Sequence, residues 1–253
     1  METFVKDQPP GDTAFAYEAA GLRWLTDGLP DDTQLRVVRV AQVSADQLEL
    51  ERLRHDAPGP SEAEALGHGL ARLHDAGASL FGAPPAGWEG DGWIGSQPMN
   101  LRPTLTWGAM YAEDRVLPYA RKAAEVGNLD ADGLRAIEAL CERIAAGEFD
   151  DDAPPARIHG DLWAGNVVWT PDPVLIDPAA HGGHRLTDLA MLGLFGAPHL
   201  ERVFAAYDEA DDHLPDQWTE LLDLHQLHPL CVHAVTHDAS YGAEASRIAQ
   251  RYA

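Results

Sequence analysis

Hydrophobic and polar positions alternate first at the amino end. Thr3-Phe4-Val5-Lys6 reads as a strand, and Pro9-Pro10-Gly11-Asp12 reads as the turn that closes it. From Ala14 to Leu25 the spacing becomes helical, with Phe15, Ala19, Leu22 and Leu25 on one face. Arg36-Val37-Val38-Arg39-Val40 and the run from Gln47 to Leu53 return to strand patterning. The turn-rich stretch from Asp56 to Pro60 then predicts a crossing into a second lobe, which divides the chain into residues 1–54 and 55–253.

Beyond that crossing the pattern is mainly helical. Ser61-Glu62-Ala63-Glu64 is a helix start signal, and Leu66, Leu70 and Leu73 carry the helix to Ala76. Between Ser79 and Thr106 no period is visible and Gly, Pro and Trp are frequent, which predicts a functional loop or a packed excursion. Helices are predicted over Trp107 to Glu125 and Ala131 to Ala146. Val167-Val168-Trp169 and Val174-Leu175-Ile176 flank Thr170-Pro171-Asp172-Pro173 as a β-hairpin. Thr187 to Phe195, Leu200 to Glu209, Trp218 to Val235 and Tyr241 to Tyr252 predict a helical carboxyl end.

Composition narrows the function classes. The chain has 253 residues, of which 45% are hydrophobic and 23% charged, so it can bury a real core. Its 18 basic and 41 acidic residues give a formal charge of −23, which repels nucleic-acid phosphates and anionic membrane surfaces. That charge favours the approach of cationic small molecules, although a merely solubilising surface explains it as well. Only Cys141 and Cys231 occur, so neither a disulfide framework nor a Cys-x-x-Cys metal pair is expected. The segment Met1 to Asp7 carries no basic leader, and no apolar run approaches the ~20 residues that span a bilayer, so the cytoplasm is the expected location.

The chemistry concentrates in His159-Gly160-Asp161-Leu162-Trp163-Ala164-Gly165-Asn166. Phosphoryl transfer needs a carboxylate near the acceptor hydroxyl, an amide oxygen for a metal ion, and a second carboxylate between metal and phosphates. Asp161 and Asn166 stand five positions apart, the spacing of the kinase catalytic loop, with Gly160 where protein kinases carry Arg. Eleven residues beyond Asn166, past the hairpin, Asp177 ends an apolar run and stands where a kinase has its metal-binding Asp. At the amino end Lys6 and Glu18 fit the strand Lys and helix Glu that clamp nucleotide phosphates. Taken singly, each of these has a bland reading: a turn, a strand end, a surface Lys, a solvated helix Glu.

The central segment, with the run from Leu175 to Met191 that includes Asp177-Pro178-Ala179-Ala180-His181-Gly182-Gly183-His184-Arg185, resembles the fructosamine kinase (ketosamine 3-kinase) family. Gly82 to Gly95, with Trp88 and Trp93, and Trp107 with Tyr111 to Arg115 also resemble that family's substrate-side insertion. The resemblance runs from about Phe4 to Tyr252. It implies an α+β, two-lobed protein-kinase-like fold with a small β-rich lobe and a larger, mainly helical one. It also implies ATP- and Mg²⁺-dependent phosphorylation of a sugar hydroxyl of ketosamines, the adducts of sugars with amines and lysines. By carry-over Asp161 is the base, Asn166 and Asp177 are the Mg²⁺ ligands, and Lys6 with Glu18 is the phosphate clamp. Glu51 to Leu53 is the interlobe hinge that meets the nucleotide, Trp163 is a platform for the sugar or a loop-packing residue, and His184, Arg185 and Asp188 line the substrate site or brace it. The family carries a glycine-rich turn before the strand Lys, whereas five residues precede Lys6 here, so an amino-terminally abbreviated small lobe is expected.

Two alternatives keep the same centre: a kinase for another small alcohol, such as an aminoglycoside or amino alcohol, with a different wall around Trp88, Trp93, Trp107 and Trp163, and a nucleotide-binding pseudokinase. His225, His228, Cys231, His233 and His237 invite a zinc reading, but without a His-Glu-x-x-His pattern they read better as core or edge histidines. No Gly-x-Ser-x-Gly elbow supports a hydrolase.

Overall fold

The computed structural model describes residues 2–7 and 13–252, so the turn expected at Pro9 to Asp12 lies outside the described residues. Strand β1 (Thr3–Asp7) is followed by helix α1 (Ala14–Gly28), and α1 buries the predicted face of Phe15, Ala19, Leu22 and Leu25. The stretch expected as one strand from Arg36 divides into β2 (Arg36–Val37) and β3 (Val40–Val43). β3 joins β4 (Gln47–Glu51) and β1 in an antiparallel sheet of order β1-β4-β3, and a register shift between Val40 and Gln42 marks a bulge. A bulge bends its strand, and here β2 leaves the sheet and pairs in parallel with β9 (Val174–Leu175). β9 is the return arm of the predicted hairpin, whose outgoing arm is β8 (Val167–Val168). The small lobe is thereby hydrogen-bonded to the catalytic hairpin.

Helix α2 (Pro60–Asp75) begins where the sequence predicts, with Pro60 in its first turn and the Glu62 carboxylate accepting from Gly59 N at 3.0 Å. The stretch without visible period contains a hairpin, β5 (Gly92–Ile94) and β6 (Gln97–Met99), which turns at Gly95 with φ +53°. The helix predicted from Trp107 is three pieces: α3 (Trp107–Met110), a π-helical turn (Tyr111–Val116) and α4 (Leu117–Glu125). Pro118 has no N–H to continue the ordinary ladder, and the wider turn lies just before it.

Helix α5 (Ala131–Ala145) leads to β7 (Ala156–Ile158), which pairs antiparallel with β10 (His181–Gly183) and closes the chain around the central motif. Neither short strand is expected from the sequence, since three residues including Gly182-Gly183 carry little strand propensity of their own. Helices α6 (Leu186–Phe195), α7 (Leu200–Ala210), α8 (Leu222–Thr236) and α9 (Ala239–Arg251) complete the large lobe, with Trp218–Leu221 a 3₁₀ turn ahead of α8.

Two apolar cores result. One joins α4, α5, α8 and α9 through residues such as Ala120, Ile137, Leu227 and Ile248. The other contains Leu22, Leu48 and Leu50 from the first 54 residues together with Leu66, Leu70, Leu162, Leu175, Leu186 and Tyr207. Leu162, fully buried inside the central segment, therefore shares its packing with the β1-β4-β3 sheet; one such side chain is worth about 1.5–3 kcal/mol of transfer free energy. Among the described residues no helix is long and apolar enough to cross a membrane.

Candidate active site

The segment from His159 to Asn166 connects β7 to β8 as an irregular loop with a closing 3₁₀ turn (Ala164–Asn166). Gly160 sits at φ +81°, and a Cβ there would stand 2.3 Å from the Ala179 carbonyl oxygen, so no side chain fits. That explains Gly at the position where protein kinases carry Arg. The loop backbone is held by Asp188, near the start of α6, whose carboxylate accepts from His159 N at 2.7 Å and Gly160 N at 2.9 Å. His74 Nε2 donates to the same carboxylate at 3.1 Å, and the Tyr207 hydroxyl reaches His74 Nδ1 at 2.6 Å. Burial opposes charge on Asp188, but the hydrogen bond and charge of His74, with help from His159 and Gly160 N, hold its carboxyl below the usual range. Since a carbonyl only accepts, His159 donates from Nε2 to Ile176 O at 2.8 Å, which leaves Nδ1 to accept from Asp161 N at 3.3 Å.

On one side of Asp161 the charged residues meet. Lys6, inner-facing on β1, donates to both Glu18 oxygens at 2.8 and 2.9 Å and to Asp177 Oδ1 at 2.9 Å. Burial alone would lower the Lys6 ammonium, but the Glu18 and Asp177 carboxylates outweigh it and raise it above its ordinary value. Asp177 adopts φ +54°, a left-handed conformation uncommon outside glycine. Asn166 Nδ2 donates to Asp161 O at 2.7 Å and lies 3.3 Å from Asp161 Oδ2. With its amide nitrogen thus committed, the amide oxygen is the end left for a cation. Burial pushes the Asp161 carboxyl up to about 7, with the Asn166 hydrogen bond pulling it down and Asp177 and Asp188 adding to the rise.

Two carboxylates, Glu18 and Asp177, converge here on one ammonium, and a third, Asp161, lines the same cavity. The surplus negative charge and the hard oxygen donors of Asp177 and Asn166 suit Mg²⁺. Among the described residues no group of three or more His, Cys, Asp or Glu could hold a metal ion unaided. Mg²⁺ at nucleotide sites characteristically takes one or two carboxylates and completes its shell with phosphate and water, so the two findings agree.

Two clefts meet at Asp161. A charged chamber of about 390 Å³ is lined by Lys6, Phe15, Glu18, Trp93, Asn166 and Asp177. An aromatic cleft of about 450 Å³ is lined by Ser96, Met191, Phe195, Val232, His233, His237 and Tyr241. Gly95, Asp161 and Trp163 belong to both. The Trp163 ring lies over Gly165, whose added Cβ would stand 2.2 Å from it, and is 43% exposed toward the clefts.

Not every expected residue is gathered there. His184 is buried outside both clefts, with Nε2 3.2 Å from each Asp151 oxygen and its ring against Trp107 and His225. Arg185 is 1% exposed and ties Asp75 at the end of α2 to Asp211 at the end of α7. Of the two roles expected for this pair, lining the substrate site or bracing it, the brace fits these contacts, since both side chains are buried against Asp151, Asp75 and Asp211 and line neither cleft. Glu51 pairs with Arg36 at 3.1 Å, and neither it nor Leu53 lines the two clefts; both stand where β4 gives way to the crossing. Trp107 is buried against Tyr111 and His225, and Trp88 packs on Tyr17, so of the expected tryptophan wall Trp163 reaches both clefts and Trp93 the charged chamber. Gly95 closes the expected substrate-side insertion, whereas Ser96, Phe195, His233, His237 and Tyr241 were not expected at the site. Their helices read as ordinary packing segments, and only the histidine spacing on α8 offered a signal, which pointed to core or edge positions.

The sequence profile named fructosamine kinase matches residues 1–253. The chain belongs to the fructosamine kinase family. A protein of Thermus thermophilus assigned as a ketoamine kinase is 34% identical over 229 residues, covering 90% of this chain and 78% of its own. The crystal structure of a protein from Thermobifida fusca assigned as a fructosamine-3-kinase superposes with a TM-score of 0.88 at 44% identity, covering 98% of this chain and 85% of that one. An ADP-bound aminoglycoside phosphotransferase superposes with a TM-score of 0.60 at 16% identity, covering 98% and 86%, which shows the shared fold. This fructosamine kinase family member thus has the expected two-lobed α+β kinase-like fold.

Proposed function

We propose that this protein transfers the terminal phosphoryl group of ATP to a sugar hydroxyl of a ketosamine. The observation that carries the reading is the position of Asp161, at the one wall shared by a charged chamber and an aromatic cleft. A phosphate chain fits the first and a polyol the second. Family membership and the ketoamine kinase relatives support the acceptor class over an aminoglycoside or amino alcohol. The assembled Lys6, Glu18, Asp161, Asn166 and Asp177 speak against a pseudokinase.

In this reading Asp161 takes the proton of the acceptor hydroxyl as its oxygen attacks the phosphorus, and Asn166 holds the Asp161 carboxylate in place. Lys6, positioned by Glu18, meets the charge that develops on the phosphoryl oxygens. Asp177 and the Asn166 amide oxygen would hold Mg²⁺, which supplies charge neutralisation along the phosphate chain. Trp163 gives the sugar a rigid face beside the base, and the Asp188–His74–Tyr207 chain keeps the loop from moving.

The test is turnover of fructosyl-lysine and ribulosyl-lysine by the purified protein with ATP and Mg²⁺. Formation of ADP and a phosphorylated adduct is expected, and Asp161→Ala should slow it by about 10²–10⁴-fold with the fold intact. Bound ATP without turnover of any ketosamine would overturn the acceptor assignment, while full turnover by Asp161→Ala would overturn the base.

A further inference from the structure

The β5–β6 hairpin belongs to the large lobe but is tied to the amino-terminal one. Its outgoing arm is fixed from behind. Buried Arg115 of the π-helical turn donates from Nη1 to Asn100 O at 2.7 Å, and the Tyr119 hydroxyl of α4 donates to Pro98 O at 2.7 Å. The incoming arm meets α1. Gly92 lies so close to Tyr17 that an added Cβ would stand 2.6 Å from its ring, and Trp93 donates from its indole N–H to Thr13 Oγ1 at 3.1 Å, one residue before α1 begins.

Between these arms the tip stands at the reaction centre. Gly95 borders both clefts, as do Asp161 and Trp163, so a phosphoryl group passing from the charged chamber to the aromatic cleft crosses among these three. Trp93 lines the chamber together with Lys6 and Glu18. Gly95, at φ +53°, and Ser96 are exposed, and among the described residues no carbonyl or side chain accepts from the backbone N–H of either. A glycine turn with free N–H groups is the kind of element that kinases lay over phosphates, and fixed N–H dipoles stabilise phosphoryl oxygens as charge develops on them.

Resting on the phosphotransferase reading above, we propose that the β5–β6 hairpin is the cover of the phosphate chain, with Trp93 as the positioning residue that latches it to Thr13 and the Gly95–Ser96 turn over the phosphoryl group in transit. Its task is to exclude water. A water molecule can replace the sugar hydroxyl: its oxygen bonds to the terminal phosphorus, its proton passes to Asp161, the bond to the ADP oxygen breaks, and ATP is lost as ADP and phosphate. With the cover in place, the attacking oxygen comes from the aromatic cleft and belongs to the acceptor. Because α1 also carries Glu18, the latch sets the cover and the Lys6–Glu18 clamp together.

Trp93→Phe keeps a ring and loses the N–H, while Thr13→Val loses the hydrogen-bond acceptor. Each should raise the ratio of acceptor-free ATP hydrolysis to phosphoryl transfer about three- to tenfold and the KM for ATP about two- to fivefold, the order of one neutral hydrogen bond, with the acceptor KM unchanged. The double variant should do no more than either alone. Gly95→Ala, whose methyl meets nothing within 4 Å but disfavours a positive φ, should raise the same ratio, and Gly95→Asn, which tolerates that conformation, should restore it. An unchanged ratio in every variant, even with a lowered melting temperature, would overturn the cover, as would latch effects that add or that fall on the acceptor KM. Should the wild-type protein turn over no ketosamine, the acceptor assignment is overturned and calorimetric titration with ATP and Mg²⁺ decides the cover separately. Two- to fivefold weaker binding by Trp93→Phe and Thr13→Val would support it, and equal binding by all three proteins would overturn it.

Discussion

The two faces of Asp161 are built on opposite principles. Toward Lys6 the Glu18 and Asp177 carboxylates are held at 2.8–2.9 Å by the ammonium, whereas toward Tyr241 the surface is made of rings spaced 5.0–6.5 Å apart. Phosphoryl transfer develops charge at fixed points, so it rewards donors and acceptors that need no reorganisation when the reaction occurs. Recognition of an amine whose substituent varies rewards dispersion and ring quadrupoles, which tolerate small displacements. Asp161 lines both, and burial, more than any neighbour, pushes its carboxyl up.

That contrast can be broken at its centre first. Asp161→Ala should reduce turnover by about 10²–10⁴-fold, the range of one general base, with a melting temperature no lower than that of the wild type. Behind both faces, Asp188→Ala removes the carboxylate shared by His159 N, Gly160 N and His74, and should lower unfolding free energy in urea by about 3–5 kcal/mol, as for a broken buried pair. A loss below 1 kcal/mol would show that the loop is held by its packing instead. On the charged face, Lys6→Ala should lower kcat/KM for ATP about ten- to hundredfold, the worth of one or two charge-assisted hydrogen bonds, with acceptor KM little affected. On the aromatic face, Trp163→Ala should do the reverse, raising acceptor KM about two- to tenfold at constant ATP KM. Equal changes in both constants for either variant would mean that the two clefts do not act separately.

A smaller effect concerns pH. The Asp161 carboxyl is about 7 in the folded protein, against an ordinary value of about 4 in an unfolded chain. The folded state therefore holds this proton more tightly, so ionising Asp161 costs stability; the cost is absent below pH 4, grows between, and is complete above pH 7. In chelator, Asp161→Asn should accordingly melt above the wild type at pH 8, and the gap should close by pH 4. A constant gap across that range would place the effect in packing.

The same division separates what could be read from the chain. Lys6, Glu18, Asp161, Asn166 and Asp177 were legible because chemistry at a point requires particular residue types, and the loop, hairpin and helix between them leave a recognisable spacing. The early strands and helices were legible from period alone, apart from the bulge that sends β2 to β9 and the π-turn before Pro118. His184 and Arg185 stand in the run that carries the family resemblance, yet their side chains turn inward, a direction that spacing does not encode. Trp88 and Trp107 had the right residue type and packed elsewhere.

By itself, then, the sequence determined the candidate catalytic residues and the longer strands and helices, since both depend on local spacing and on residue chemistry. Only the tertiary structure decided which face of α6, α8 and α9 looks into a cleft, because Phe195, His233 and Tyr241 come from separate helices and meet only after those helices have packed.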